Sequence, residues 1–160
     1  MRRELICQSL DQVVAEMESL LATGYQKQGN WSLAQICCHL RMTIESNMHG
    51  YPRWMVVLGY PLRPILRWLA LPKLLRGHSP NGIPTAGMFV PAANLDDQKE
   101  FEEFVGCVER FRQFDKSLSP HPGFGRMSKS EFDQFHAAHG AHHLGFLQPI
   151  TELGKHVDQG

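Results

Sequence analysis

Leu10, Val13, Val14, Met17, Leu20 and Leu21 recur at three- and four-residue intervals, the spacing that lines one face of an α-helix. Ser9 and Gln12 make a capping-box pair at its start and Gly24 supplies a stop, so this pattern predicts a helix from Ser9 to just before Gly24. Ser32 and Gln35 repeat the box, with Trp31 positioned to staple the incoming chain, and Leu33, Ile36, Cys37, Leu40 and Ile44 form the second stripe. Gly50 and Pro52 should end that helix near Asn47 or His49. His39 falls at the edge of its stripe, beside Ile36 and Thr43, where a side chain can face a cleft.

Residues 53–76 are apolar but carry Pro61, Pro64, Pro72 and five basic residues. A bilayer span needs about 20 apolar residues without such charges, so a transmembrane helix is rejected. Short broken helices covering one end of the core are expected, with a basic, aromatic surface for lipid or a partner as the alternative. The Gly- and Pro-rich residues 77–93 read as a long loop. Asn94 is placed to cap a third helix with the stripe Phe101, Phe104, Val105, Val108 and Phe111, fading around Ser117 to Ser119. Ser128 with Glu131 opens the last helix, expected to run to about Leu153.

Four main helices, no strand alternation and no internal repeat predict an all-α chain, an antiparallel four-helix bundle forming one domain over residues 1–160. A length of 160 residues and 42% apolar content suit one domain with a real core. Sixteen Lys plus Arg against sixteen Asp plus Glu leave no net charge to favour nucleic acid. Cys7, Cys37, Cys38 and Cys107 show no CxxC spacing, and no leader pattern opens the chain, so packed free thiols in a cytoplasmic protein are expected. The apolar excess in residues 53–76 makes a homodimer an expectation.

Chemistry concentrates between Phe135 and Leu147, where His136, His139, His142 and His143 make up four of the nine histidines. On a helix turning about 100° per residue, His139 and His143 point the same way, one turn apart. Two such imidazoles can reach one ion, and His39 on the second helix is the candidate third ligand. Three neutral imidazoles with an open position suit zinc or nickel. His136 shares roughly the face of His139 and is a candidate ligand or support to one, whereas His142 points away. Adjacent Cys37, Cys38 and His39 diverge around their helix and form no ligand set. His121 and Pro122, ahead of GFG, either fix a tight turn or overhang one end of the bundle and touch substrate. His49, His78 and His156 read as solvated. Glu131 and Asp133 lie upstream of the histidines, and no carboxylate is placed as a general base.

WSLAQICCHL, HPGFGRMS and HGAHHLGFL, with the loop GHSPNGIP, occur in an order that resembles the DUF1569 group of the DinB/YfiT-like superfamily. The resemblance spans Gly29 to Leu147 and implies a four-helix bundle with a three-histidine divalent metal site. One ligand comes from the second helix and an HxxxH pair from the fourth, which here are His39, His139 and His143. The superfamily includes metal-dependent transferases that use low-molecular-weight thiols and an isomerase of maleylpyruvate. Phe146 stands where many relatives carry Gln, which removes a polar contact from that position.

The resulting expectation is a metal-dependent enzyme acting on a small molecule through an activated thiol or water. The alternative is a non-catalytic metal- or ligand-binding bundle of the stress-response kind.

Overall fold

The computed structural model describes residues 2–76 and 85–150. Four long helices dominate it: α1 (Leu10–Thr23), α2 (Leu33–His49), α6 (Asp97–Gln113) and α7 (Lys129–Leu144). Three shorter ones, α3 (Arg53–Gly59), α4 (Arg63–Ile65) and α5 (Leu71–Leu75), lie in the connection between α2 and α6. Two three-residue strands, β1 (Tyr25–Lys27) and β2 (Leu147–Pro149), pair antiparallel with Gln26 opposite Gln148.

The capping signals are realised unevenly. At α2, Ser32 Oγ accepts from Gln35 N at 3.2 Å while Gln35 Oε1 accepts from Ser32 N at 3.0 Å. Ser128 and Glu131 make the same reciprocal pair at α7. Ser9 sits at the start of α1 with extended backbone, but its side chain caps nothing, and Gln12 Oε1 accepts from Gln8 N instead. The α6 cap is Asp96, whose Oδ1 accepts from Lys99 N at 2.8 Å, and not Asn94. Asn94 has φ 60, the left-handed conformation Asn tolerates, and turns the chain two residues earlier.

The last helix is also shorter than expected. It stops at Leu144, where Gly145 N bonds Ala141 O, and the chain then extends to pair with β1. The helical reading failed there because a three-residue strand is too short to show alternation. Leu153 lies outside the described residues, as does the stretch 77–84.

The core is built from the expected stripes: Leu10, Val13, Met17 and Leu20 meet Leu33, Ile36, Cys37, Leu40 and Ile44, with Phe104, Phe111 and Phe132 among them. Polar links set the helix directions. Ala34 N donates to Asp97 Oδ1 at 2.7 Å, Arg41 pairs with Glu100 at 3.2 Å, and Glu45 pairs with Arg110 at 3.2 Å. Residue numbers rise together, so α2 and α6 run in the same direction, which corrects the expectation of a wholly antiparallel bundle. Parallel neighbours need a long crossover, which residues 50–96 supply. Against α7 the order reverses, since His39 meets His139 while Asn47 meets His136.

Residues 53–75 follow one nearly continuous helical path, interrupted by a 3₁₀ turn (Tyr60–Leu62) and a π turn (Leu66–Ala70). Pro61, Pro64 and Pro72 each fall in the first turn of a piece, where a missing N–H costs little. Leu66, Ala70, Leu71, Leu74 and Leu75 pack on the core, the cover the sequence leads one to expect.

Gly140 marks the tightest crossing. A Cβ there would lie 2.9 Å from Val13 Cγ1, so only glycine lets α7 approach α1 this closely, while Leu40 Cδ1 of α2 stands at ordinary contact distance, 3.5 Å. The preceding residue is His139, one of the clustered histidines, which places this contact beside the candidate site.

Candidate metal centre

His39 projects from the second turn of α2, and His139 and His143 from successive turns of α7. His139 Nε2 lies 3.2 Å from His39 Nε2 and 3.0 Å from His143 Nε2. One nitrogen from each ring falls within 4.8 Å of the other two. Two imidazole nitrogens on one zinc, at about 2.0–2.1 Å and tetrahedral angles, stand roughly 3.3–3.4 Å apart. The spacing therefore fits a shared ion.

The tautomer fits as well. His39 Nδ1 lies 2.8 Å from the Phe89 carbonyl, and a carbonyl only accepts, so Nδ1 carries the proton. That leaves the Nε2 lone pair facing the other two rings, the orientation a carbonyl partner gives a metal-binding histidine. Burial holds His39 below its ordinary range, against the Phe89 carbonyl, which favours the charged form. Burial, then the neighbouring His143 and His39, holds His139 well below the usual value. His143 is pushed down to about 3 by burial, with His39 and His142 adding to the effect. All three rings are thus neutral and able to donate lone pairs at neutral pH. Lone pairs gathered in this way repel unless a proton or a cation sits among them, and a divalent ion answers all three at once.

The walls are aromatic. Trp31 stacks on His143 at 5.2 Å and lies 4.9 Å from the His39 ring, while Phe135 is 6.0 Å from His139. Trp31 thus covers the histidines, a role beyond stapling the start of α2. The cluster itself contains no carboxylate.

His136 does not join the three. Its Nε2 bonds Asn47 Nδ2, and the Asn47 Oδ1 accepts from the Tyr51 hydroxyl. The ring is fully enclosed between Phe111, Phe132 and Phe135, and burial pushes its pKa to about 3. Its Nδ1 is buried with no partner among the described residues, as is the Nδ1 of His139. His121 lies in the turn before α7, where its Nδ1 accepts from Gly123 N at 3.1 Å and Phe124 N at 3.2 Å. Its backbone bonds Gly125 in both directions, and its ring stacks on Phe124 and meets Tyr51 at 5.6 Å. These bonds fix the turn, the first of the two expected roles.

His142 accepts from or donates to nothing in the cluster; its Nδ1 lies 2.6 Å from the Arg2 guanidinium. Cys7, Cys37 and Cys107 are buried, and burial raises all three thiols. They pack as small apolar groups. His49 is exposed, and His78 and His156 lie outside the described residues. Phe146 packs on Gly29 and faces the ring of His142 at 5.7 Å.

Three contributors escaped the sequence: the Phe89 carbonyl, Tyr51, and Asn47. Asn47 did leave a signal, because it continues the buried stripe of α2 three residues after Ile44, a polar side chain at an apolar position.

A family model described as "Protein of unknown function (DUF1569)" matches residues 1–150. No curated protein and no solved structure matches the chain.

Proposed function

The chain belongs to the DUF1569 family, and from that premise we propose that His39, His139 and His143 hold a divalent ion, zinc or nickel, in an enzyme that works on a small molecule. The reaction is transfer of a low-molecular-weight thiol, or hydrolysis. The observation that carries this reading is the convergence of three neutral imidazoles from two helices on one point. When bound to three neutral ligands, such an ion keeps its full charge and an open position, the chemistry that yields hydroxide or thiolate near neutral pH.

The protein's own groups have separate tasks. The Phe89 carbonyl keeps the His39 Nε2 lone pair directed at the cluster, and the rings of Trp31 and Phe135 form its walls. His136, braced by Asn47 and Tyr51, steadies α7 one turn before His139; His121 holds the turn at the base of α7. The same reading takes residues 1–160 as one DinB/YfiT-like four-helix-bundle domain working in the cytoplasm.

Trp31, laid against both His39 and His143, favours a second reading: a metal- or ligand-binding module of the stress-response kind, with no turnover.

Elemental analysis of untagged protein tests the metal. The expectation is about one ion per chain, lost in His139→Ala. A metal-free wild type, or unchanged content in the variant, refutes it. Assays with thiol cosubstrates then separate the enzyme from the binding module.

A further inference from the structure

The helical path over residues 53–75 is apolar on the wrong side for a globular protein. Trp54, Leu58, Leu62, Ile65 and Leu69 are exposed at three- and four-residue spacings that define one helix face, flanked by exposed Val57 and Trp68. Trp54 is 56% exposed and Trp68 80%. The opposite face, with Leu66, Ala70 and Leu71, is the one seated on the core.

The segment cannot roll to hide that outer face. Arg63 Nε donates to the Pro122 carbonyl at 3.0 Å, and Arg67 donates to the carbonyls of Phe124 and Arg126 and pairs with Glu131 at 3.4 Å. At Gly59 a Cβ would fall 2.3 Å from the Pro122 oxygen, so the helix backbone rests directly on the turn. The presented surface is fixed by the same turn that leads into α7.

Charge identifies what the surface meets. Residues 53–76 contain Arg53, Arg63, Arg67, Lys73 and Arg76 and no acidic residue, in a chain whose net charge is zero. Arg63 and Arg67 serve the turn, whereas Arg53, Lys73 and Arg76 form no ion pair among the described residues. Exposed cations thus border an apolar face that bears Trp54 and Trp68, with Tyr60 exposed beside it under Arg63. We infer that residues 53–76 are a membrane-docking surface that lies in the plane of an anionic lipid headgroup layer.

The physical fit has three parts. Trp and Tyr rings are at home at the headgroup level, the apolar face enters the acyl boundary, and the cations meet anionic headgroups. No helix among the described residues is long and apolar enough to cross a membrane, so the segment lies on the surface. A second copy of the chain fits less well. A two-fold contact sets the same patch against itself, placing cations opposite cations with no acid to answer them.

Co-sedimentation of the full chain with vesicles tests the inference. One set is phosphatidylcholine alone and the other an equimolar mixture with phosphatidylglycerol. The expected result is binding to the mixed vesicles about tenfold or more above the neutral ones, weakened by salt. Trp54→Ser with Trp68→Ser should lower it by a further factor of about ten, and Lys73→Glu several-fold. Both tryptophans are mostly exposed, so the double variant should keep the wild-type thermal midpoint, which is measured alongside. Failure to bind mixed vesicles, or equal binding to both, overturns the inference. So does a wild-type dimer in sedimentation equilibrium that the tryptophan variant dissociates.

Discussion

The Nε2 atoms of His39 and His139 stand 3.2 Å apart, although one hundred residues separate them in the chain. The pair exists because α7 runs opposite to α2 and close against it. Whatever holds the two rings at that distance also couples α2 to α7, so ligand binding there reports on the stability of the whole packing.

Zinc added to metal-free protein should therefore raise the unfolding temperature. At one hundred times the dissociation constant the gain is about 2.7 kcal/mol. His39→Ala should abolish the rise. Differential scanning calorimetry with and without zinc checks this, and an equal rise in the variant would place the ion elsewhere.

Gly140→Ala offers a test of the helix approach. Alanine is the better helix former by about 1 kcal/mol, so an open site would be stabilised. Here the added Cβ would meet Val13 Cγ1 at 2.9 Å, and Val13 is fully buried. The expected outcome is a net loss of about 1–3 kcal/mol by urea denaturation, with weaker zinc binding, because α7 must shift away from α1 and carry His139 and His143 with it.

Acid should destabilise the metal-free fold before its carboxylates titrate. Burial, then Arg63, pushes His121 to about 4, and burial, then His121, pushes His136 to about 3, from an ordinary 6.5. The folded values are the lower ones, so the unfolded chain takes up protons first. Stability is complete above pH 6.5 and falls as pH drops toward the folded values. Each group contributes a slope of about 1.4 kcal/mol per pH unit. Urea denaturation at neutral and mildly acid pH measures it, and His136→Phe should remove one proton from the slope. Constant stability across that range would contradict the buried, neutral state of both rings.

The helix starts predict a contrast between like substitutions. Ser128→Ala removes the oxygen that accepts from Glu131 N and should cost about 1 kcal/mol. Ser9→Ala removes no cap bond and should change stability little, although both serines stand at helix starts with an acceptor side chain three residues on. Paired urea titrations decide it; equal losses would mean that Ser9 caps α1 in solution.

The Ser9 case marks the boundary between pattern and packing. Apolar spacing determined α1, α2 and α6, because a helix that must bury one face writes a 3.6-residue period into its own sequence, whereas α7 was legible from the Ser128–Glu131 box at its start. The i, i+4 relation of His139 and His143 was local in the same sense, and His39 was legible as a polar residue beside an apolar stripe. Properties that depend on a second element were not. Whether Ser9 or Gln12 finds an amide, whether α7 ends at Leu144 to pair with β1, and how Asn47 meets His136 are settled by distant neighbours. The parallel course of α2 and α6 belongs to the same class, as does the outward face of residues 53–76, since an apolar stripe looks alike in sequence whichever way it points. Tertiary packing decided that orientation through Arg63, Arg67 and Gly59 on the 122–126 turn, and it alone brought His39 to the histidine pair of α7.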